Sequence, residues 1–129
     1  MLMQQYILVV DDDEHIAQLV QINLERAGYR VQTAPNGAAA LDQVALEKPG
    51  LVILDVMMPQ MSGFETLKKL KANPEVNHIP VIMLTVRSSE TDTADAWKIG
   101  VDAYLYKPFE PSELLAFVKR FLPELPQHC

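Results

Sequence analysis

Five residues scattered over the chain have the types needed for chemistry on an anionic group: Asp11, Asp12, Asp55, Thr85 and Lys107. Three carboxylates brought together repel, and at neutral pH they stay together only if one is protonated or a cation sits among them. Oxygen ligands with no His or Cys beside them select a hard ion, and Mg²⁺ suits a site of a few carboxylates that keeps some water. A lysine ammonium and a threonine hydroxyl at such a site are the equipment for neutralising a transferring phosphoryl group attacked by a carboxylate oxygen. Each residue taken alone has a plainer explanation. An acidic run complements the dipole of a following helix, an Asp after a strand forms a turn or caps a helix, Thr85 is an ordinary strand residue and Lys107 a solvated one. The chemical reading rests on whether the fold brings all five to one place.

The elements that must carry them alternate along the chain. Leu51 to Asp55 is a short unbroken apolar run, read as a strand buried on both faces that delivers Asp55 to its end, and Pro59 and Gly63 force a loop after it. Tyr6 to Val10 is a strand that stops in Asp11-Asp12-Asp13-Glu14. A helix follows, capped by Asp13 and stopped by Gly28, with Ile16, Leu19, Val20, Leu24 and Ala27 on one face. A weaker strand over Tyr29 to Ala34 leads through a Pro35-Asn36-Gly37 turn to an Ala-rich helix through Leu41 and Val44. Phe64, Leu67 and Leu70 mark a helix closed by Asn73-Pro74, and Pro80 to Thr85 is another buried strand. Ser88 to Ile99 reads as a helix stopped by Gly100, and Asp102 to Tyr106 as a fifth strand leading to Lys107-Pro108-Phe109. The last helix begins near Pro111, with Leu114, Leu115, Val118, Phe121 and Leu122 as its inner stripe.

Five such units imply a parallel α/β sheet covered by helices on both faces, because parallel strands need crossovers and those are right-handed. Every strand's carboxyl end then lies on one edge, where open α/β sheets gather their ligands. Asp11, Asp12, Asp55, Thr85 and Lys107 all fall on that edge.

At 129 residues and 49% hydrophobic content the chain has the size and core of one domain, taken as residues 1–129 with a core over about 6–122 and a tail over 123–129. A net charge of −6 disfavours a surface for a phosphate backbone, so direct nucleic-acid binding is not expected. The one cysteine, Cys129, cannot close an intramolecular disulfide, and no run has the pattern of a signal peptide or the length of a membrane span. A cytoplasmic, membrane-free protein is expected.

Four stretches together carry a family resemblance: Ile7-Leu8-Val9-Val10-Asp11-Asp12-Asp13, Leu54-Asp55-Val56-Met57-Met58-Pro59-Gln60-Met61-Ser62-Gly63, Pro80-Val81-Ile82-Met83-Leu84-Thr85 and Ala103-Tyr104-Leu105-Tyr106-Lys107-Pro108-Phe109. With them the chain resembles a response regulator receiver domain of bacterial two-component signalling from Ile7 to about Leu122. The resemblance implies a flavodoxin-like (βα)5 fold with strand order 2-1-3-4-5. It implies that Asp55 accepts a phosphoryl group from a phosphohistidine on a sensor histidine kinase or phosphotransfer protein. The domain would catalyse its own phosphorylation and dephosphorylation without being a conventional enzyme. Asp11, Asp12, the Asp55 carboxylate and the Met57 backbone carbonyl would hold Mg²⁺, and Lys107 and Thr85 would bind phosphoryl oxygens. Tyr104 would swing inward as Thr85 moves, and Lys107-Pro108 would be a cis peptide. The helix over 88–99, the fifth strand and the last helix would form the output face for a downstream effector or a homodimer, with Trp97 and Tyr104 in that region. Met57 and Arg87 flank the site and would tune the lifetime of the acyl phosphate. Val86 departs from the family pattern of Ala or Gly, and its stiff side chain would restrict access to the phosphoryl group.

Other readings differ in identifiable residues. A phosphotransferase of the haloacid dehalogenase type also uses a strand-end Asp, but carries a second Asp where this chain has Met57. A flavodoxin-like flavin carrier needs a Ser/Thr/Gly-rich phosphate loop after the first strand, where this chain has acids. A receiver-like interaction module that is never phosphorylated has no need of the full set of acids, hydroxyl and lysine.

Overall fold

The computed structural model describes residues 5–58, 61–86 and 100–123, and for Val86 the backbone only. Continuous apolar runs become strands because both faces of the sheet are covered. The strands are β1 (Tyr6–Val10), β2 (Arg30–Ala34), β3 (Leu51–Asp55), β4 (Val81–Val86) and β5 (Ala103–Lys107). All neighbours pair in parallel, in the order β2-β1-β3-β4-β5. The helices are α1 (Glu14–Arg26), α2 (Gly37–Leu46), α3 (Gly63–Ala72) and α4 (Pro111–Phe121). The helix expected over 88–99, with Arg87 before it and Trp97 within it, lies outside the described residues, as do the last residues of the tail.

Alternate side chains of each strand go to opposite faces, so the sheet separates two cores. Leu8, Val10, Val52, Leu54, Val81 and Met83 face one cluster, which Ala40 and Val44 of α2 and Leu67 and Leu70 of α3 complete. Ile7, Val9, Ile53, Ile82 and Leu84 face the other, covered by Val20 and Leu24 of α1 and Leu114 and Val118 of α4. Most of these side chains are wholly buried, and each of the Val, Leu, Ile and Met side chains stabilises the fold by about 1.5–3 kcal/mol.

Helix starts follow their capping residues. The Asp13 carboxylate accepts the His15 and Ile16 N–H groups to open α1, and Asn36 Oδ1 accepts the Ala39 N–H at 2.8 Å to open α2. Asn36 and Gly37 thus begin the second helix instead of only turning the chain before it. Ser62 and Glu65 form a reciprocal capping box at α3. Pro111 stands at the first turn of α4, and the Glu113 carboxylate accepts the Glu110 N–H at 3.0 Å.

One expected core residue is misplaced. Leu19 is 50% exposed, because the stripe of α1 runs through Ala17, Val20 and Leu24 and a neighbour of Val20 lies about 100° around the helix. Among the described residues no helix is long and apolar enough to cross a membrane.

The edge of the sheet away from the strands' carboxyl ends is fastened by Lys71. Its ammonium, on a side chain 15% exposed, donates to Asn77 O at 3.3 Å, Ile79 O at 3.1 Å and Asp102 Oδ2 at 3.2 Å. Asp102 Oδ2 also accepts the Val81 N–H at 2.8 Å, so α3, the start of β4 and the approach to β5 meet at one cation. Lys71→Met keeps the stem and removes the donors, and is expected to lower stability by about 2–3 kcal/mol. Urea unfolding checks this.

Candidate functional site

The sheet edge collects the residues anticipated there. β1 ends at Val10, so Asp11 and Asp12 stand just beyond it, while Asp55 and Lys107 are the last residues of β3 and β5. The strands therefore reach slightly further than the sequence pattern indicated, with Lys107 inside β5 and Val86 inside β4. Pairing sets Val86 opposite Lys107 and Thr85 opposite Tyr106. Carboxylate oxygens of Asp11, Asp12 and Asp55 lie within 4.8 Å of one another. Asp11 and Asp55 are buried and Asp12 is exposed.

Lys107 is the cation among these acids. Its ammonium donates to Asp55 Oδ1 at 2.9 Å and lies 3.5 Å from Asp11 Oδ2. Asp11 Oδ1 accepts the Asp13 N–H at 2.9 Å, which aims the side chain, whereas Asp11 Oδ2 is buried without a hydrogen-bond partner among the described residues.

Burial pushes the Asp55 carboxyl above its ordinary range; the Lys107 hydrogen bond opposes this and the Asp11 charge adds to it. Burial likewise raises Asp11, against the Asp13 N–H and the Lys107 charge. Burial of Lys107 favours its neutral form, but the Asp55 hydrogen bond and the two acidic charges outweigh it and raise the ammonium's pKa. Among the described residues one cation, Lys107, thus stands among three carboxyl groups.

That imbalance suits a hard cation. Among the described residues, a buried carboxylate oxygen with no hydrogen bond converges with two further carboxylates and no sulfur or nitrogen ligand, which matches the donor set that Mg²⁺ takes. The residues fit the ion.

Thr85 is buried at the end of β4, and Lys107-Pro108 is a cis peptide. Tyr104 is buried and stacks on Tyr106 with ring centroids 6.2 Å apart. Met57, two residues beyond Asp55, is 70% exposed. Arg87, Trp97 and the Val86 side chain lie outside the described residues.

Gly63 is the site residue that the sequence reading undervalued. Read only as a loop former, it is the first residue of α3 and packs on the backbone of Asp55. The signal was present in Ser62-Gly63-Phe64-Glu65, whose first and last residues form a capping box and so mark a helix start.

Comparisons with known proteins agree with this fold. Residues 7–119 match the response regulator receiver domain family. The chain is 45% identical over 120 residues to the alkaline phosphatase synthesis transcriptional regulatory protein PhoP of Bacillus subtilis, covering 93% of this chain and 49% of that protein. It is 40% identical over 116 residues to the DNA-binding dual master transcriptional regulator RpaA of Synechocystis, covering 90% of this chain and 48% of the relative. The chain thus spans about half the length of the curated relatives it matches. Among solved structures, the Vibrio cholerae chemotaxis protein CheY4 superposes with a TM-score of 0.87 at 34% identity, covering 92% of this chain and 99% of that one. A family match of this extent sets aside the dehalogenase-type and flavin-carrier readings, and the chain belongs to the response regulator receiver domains, the phosphorylation-based switches of two-component signalling.

Proposed function

We propose that Asp55 is the phosphoryl acceptor of this receiver domain. The observation that carries the reading is the convergence of Asp11, Asp12 and Asp55 with the Lys107 ammonium 2.9 Å from Asp55 Oδ1. An Asp55 carboxylate oxygen attacks the phosphorus of a phosphohistidine, the nitrogen–phosphorus bond breaks with its electron pair returning to the imidazole, and an acyl phosphate is left on Asp55. Water later cleaves the acyl phosphate to inorganic phosphate and the free carboxylate. Lys107 neutralises charge on the phosphoryl oxygens, and the Thr85 hydroxyl donates to one of them.

Asp11, Asp12, Asp55 and the Met57 carbonyl would hold Mg²⁺, which when bound supplies charge neutralisation for the phosphoryl oxygens. Residues 6–122 act as a single cytoplasmic receiver unit, with a sensor histidine kinase or phosphotransfer protein as donor. A downstream effector or a second copy reads the state of β5, α4 and the segment over 88–99. Met57, Val86 and Arg87 tune access to the acyl phosphate.

Labelling with acetyl phosphate tests the reading. Wild-type protein is expected to take close to one phosphate per chain with Mg²⁺ and almost none in EDTA. Asp12→Ala is expected to weaken Mg²⁺ binding, read by calorimetry, and to slow labelling by about 10–100-fold. Label that is independent of Mg²⁺, or an Asp12→Ala titration identical to wild type, would defeat the assignment.

A further inference from the structure

The helix that follows the site begins against the backbone of the residue carrying the nucleophile. The Gly63 N–H donates to Val56 O at 3.0 Å, which closes the loop between β3 and α3. A Cβ at Gly63 would stand 2.2 Å from the Asp55 carbonyl oxygen, 2.8 Å from Val56 Cα and 3.0 Å from the Asp55 carbonyl carbon. These are main-chain atoms, so no rotamer change removes the overlap.

Both sides of the contact are held. On the strand side, Asp55 pairs with Leu84, and the Val56 N–H donates to Leu84 O at 3.0 Å. On the helix side, the Ser62–Glu65 capping box sets the first turn, and Thr66 Oγ1 donates to Ser62 O at 3.1 Å. Met61 and Thr66 in turn pack against Gly37 at the start of α2. Crowding at Gly63 is therefore transmitted to the Asp55 backbone, whose side chain must keep Oδ1 within reach of Lys107 at 2.9 Å.

We propose that Gly63 is a positioning residue for Asp55: lacking a side chain, it lets α3 rest on the end of β3 and fixes where the acceptor carboxylate stands. The inference rests on Asp55 being the phosphoryl acceptor and names what holds that acceptor in place. A misplacement of about 1 Å in reacting groups is enough to cost orders of magnitude in rate.

The experiment compares wild type, Gly63→Ala and Val118→Ala under acetyl phosphate labelling, Mg²⁺ calorimetry and urea unfolding. Val118 is fully buried on the opposite face of the sheet and supplies a destabilised control remote from the site. Gly63→Ala is expected to lower the maximal labelling rate by about 10–100-fold and weaken Mg²⁺ binding, with the half-saturating donor concentration within about twofold of wild type. Val118→Ala is expected to label and bind Mg²⁺ like wild type despite its lower urea midpoint. A folded Gly63→Ala with wild-type maximal rate and Mg²⁺ affinity overturns the proposal, as does an equal loss in Val118→Ala. Should Gly63→Ala not fold, Ser62→Ala decides: it loosens the first turn of α3 without adding an atom at Asp55, and is expected to slow labelling about threefold, an unchanged rate overturning the proposal. Wild-type protein that takes no label overturns the acceptor assignment and the positioning together, whereas a labelled wild type matched by Gly63→Ala overturns the positioning alone.

Discussion

Asp55→Asn is expected to take no phosphate from acetyl phosphate at any Mg²⁺ concentration while remaining folded. The amide keeps the shape of the carboxyl but is not a nucleophile under these conditions, and among the described residues Asp11 and Asp12 are the other acids of the cluster. Stability should respond in the opposite sense. The Asp55 pKa is raised first by burial, with the Asp11 charge adding to it, so between the ordinary value of 3.8 and the raised one the native protein binds more protons than the unfolded chain. Stability contributed by the protonated group is present below that window and is lost as pH rises through it. The neutral amide has no such loss. In metal-free buffer at pH 7.5 the urea midpoint of Asp55→Asn should therefore equal or exceed that of wild type, with the gap closing toward acid pH. Phosphate recovered on the variant at wild-type stoichiometry would end the acceptor assignment, and a gap widening toward acid pH would refute the electrostatic account.

Lys107→Ala is expected to retain slow phosphorylation and to lose the response that follows it. Removing the ammonium leaves Asp11 and Asp55, with side chains 0% and 5% exposed, facing each other without their cation. In metal-free buffer near neutral pH this should cost about 2 kcal/mol, below the 3–5 kcal/mol of a fully buried pair because the lysine side chain is 21% exposed. The raised Lys107 pKa contributes stability fully present below the ordinary value of 10.5 and lost as pH climbs through the folded value. Protonation of the acids removes the benefit at the other end, so the deficit should be largest at neutral pH and shrink in acid and in strong alkali. Hydrogen exchange over residues 103–121 is the readout for coupling. Wild type should change protection there on adding beryllofluoride, and Lys107→Ala should not. Equal responses in both proteins would remove Lys107 from the coupling.

The parts of the molecule legible in the sequence were those with a local cause. β1, β3 and β4 announced themselves because burial on both faces demands unbroken apolar runs, and the acids that end β1 and β3 interrupt those runs at the functional edge. The strand order was available through the resemblance and not through the pattern, since alternating units do not say which strands are neighbours. Leu19 was misjudged because an apolar residue on a helix need not belong to the stripe that meets the sheet. Gly63 and Lys71 depend on atoms that arrive from elsewhere: Gly63 meets a carbonyl from β3, and Lys71 meets two carbonyls before β4 and a carboxylate before β5. Backbone acceptors of that kind leave no mark in the order of residue types.

The latch at Lys71 also determines how β5 can move. Asp102, immediately before the strand, is bound to both Lys71 and the Val81 N–H, while Lys107 at the other end holds the acids. At about 3.3 Å per residue, the strand separates these attachments by roughly 16 Å. β5 is paired to β4 along its whole length, and its root carries the additional tie to Lys71, so a change of charge at the site is expected to shift the end that carries Lys107 more than the end at Asp102. Signal carried by this strand should therefore be graded along its length, greatest at Tyr106 and Lys107 and least at Ala103.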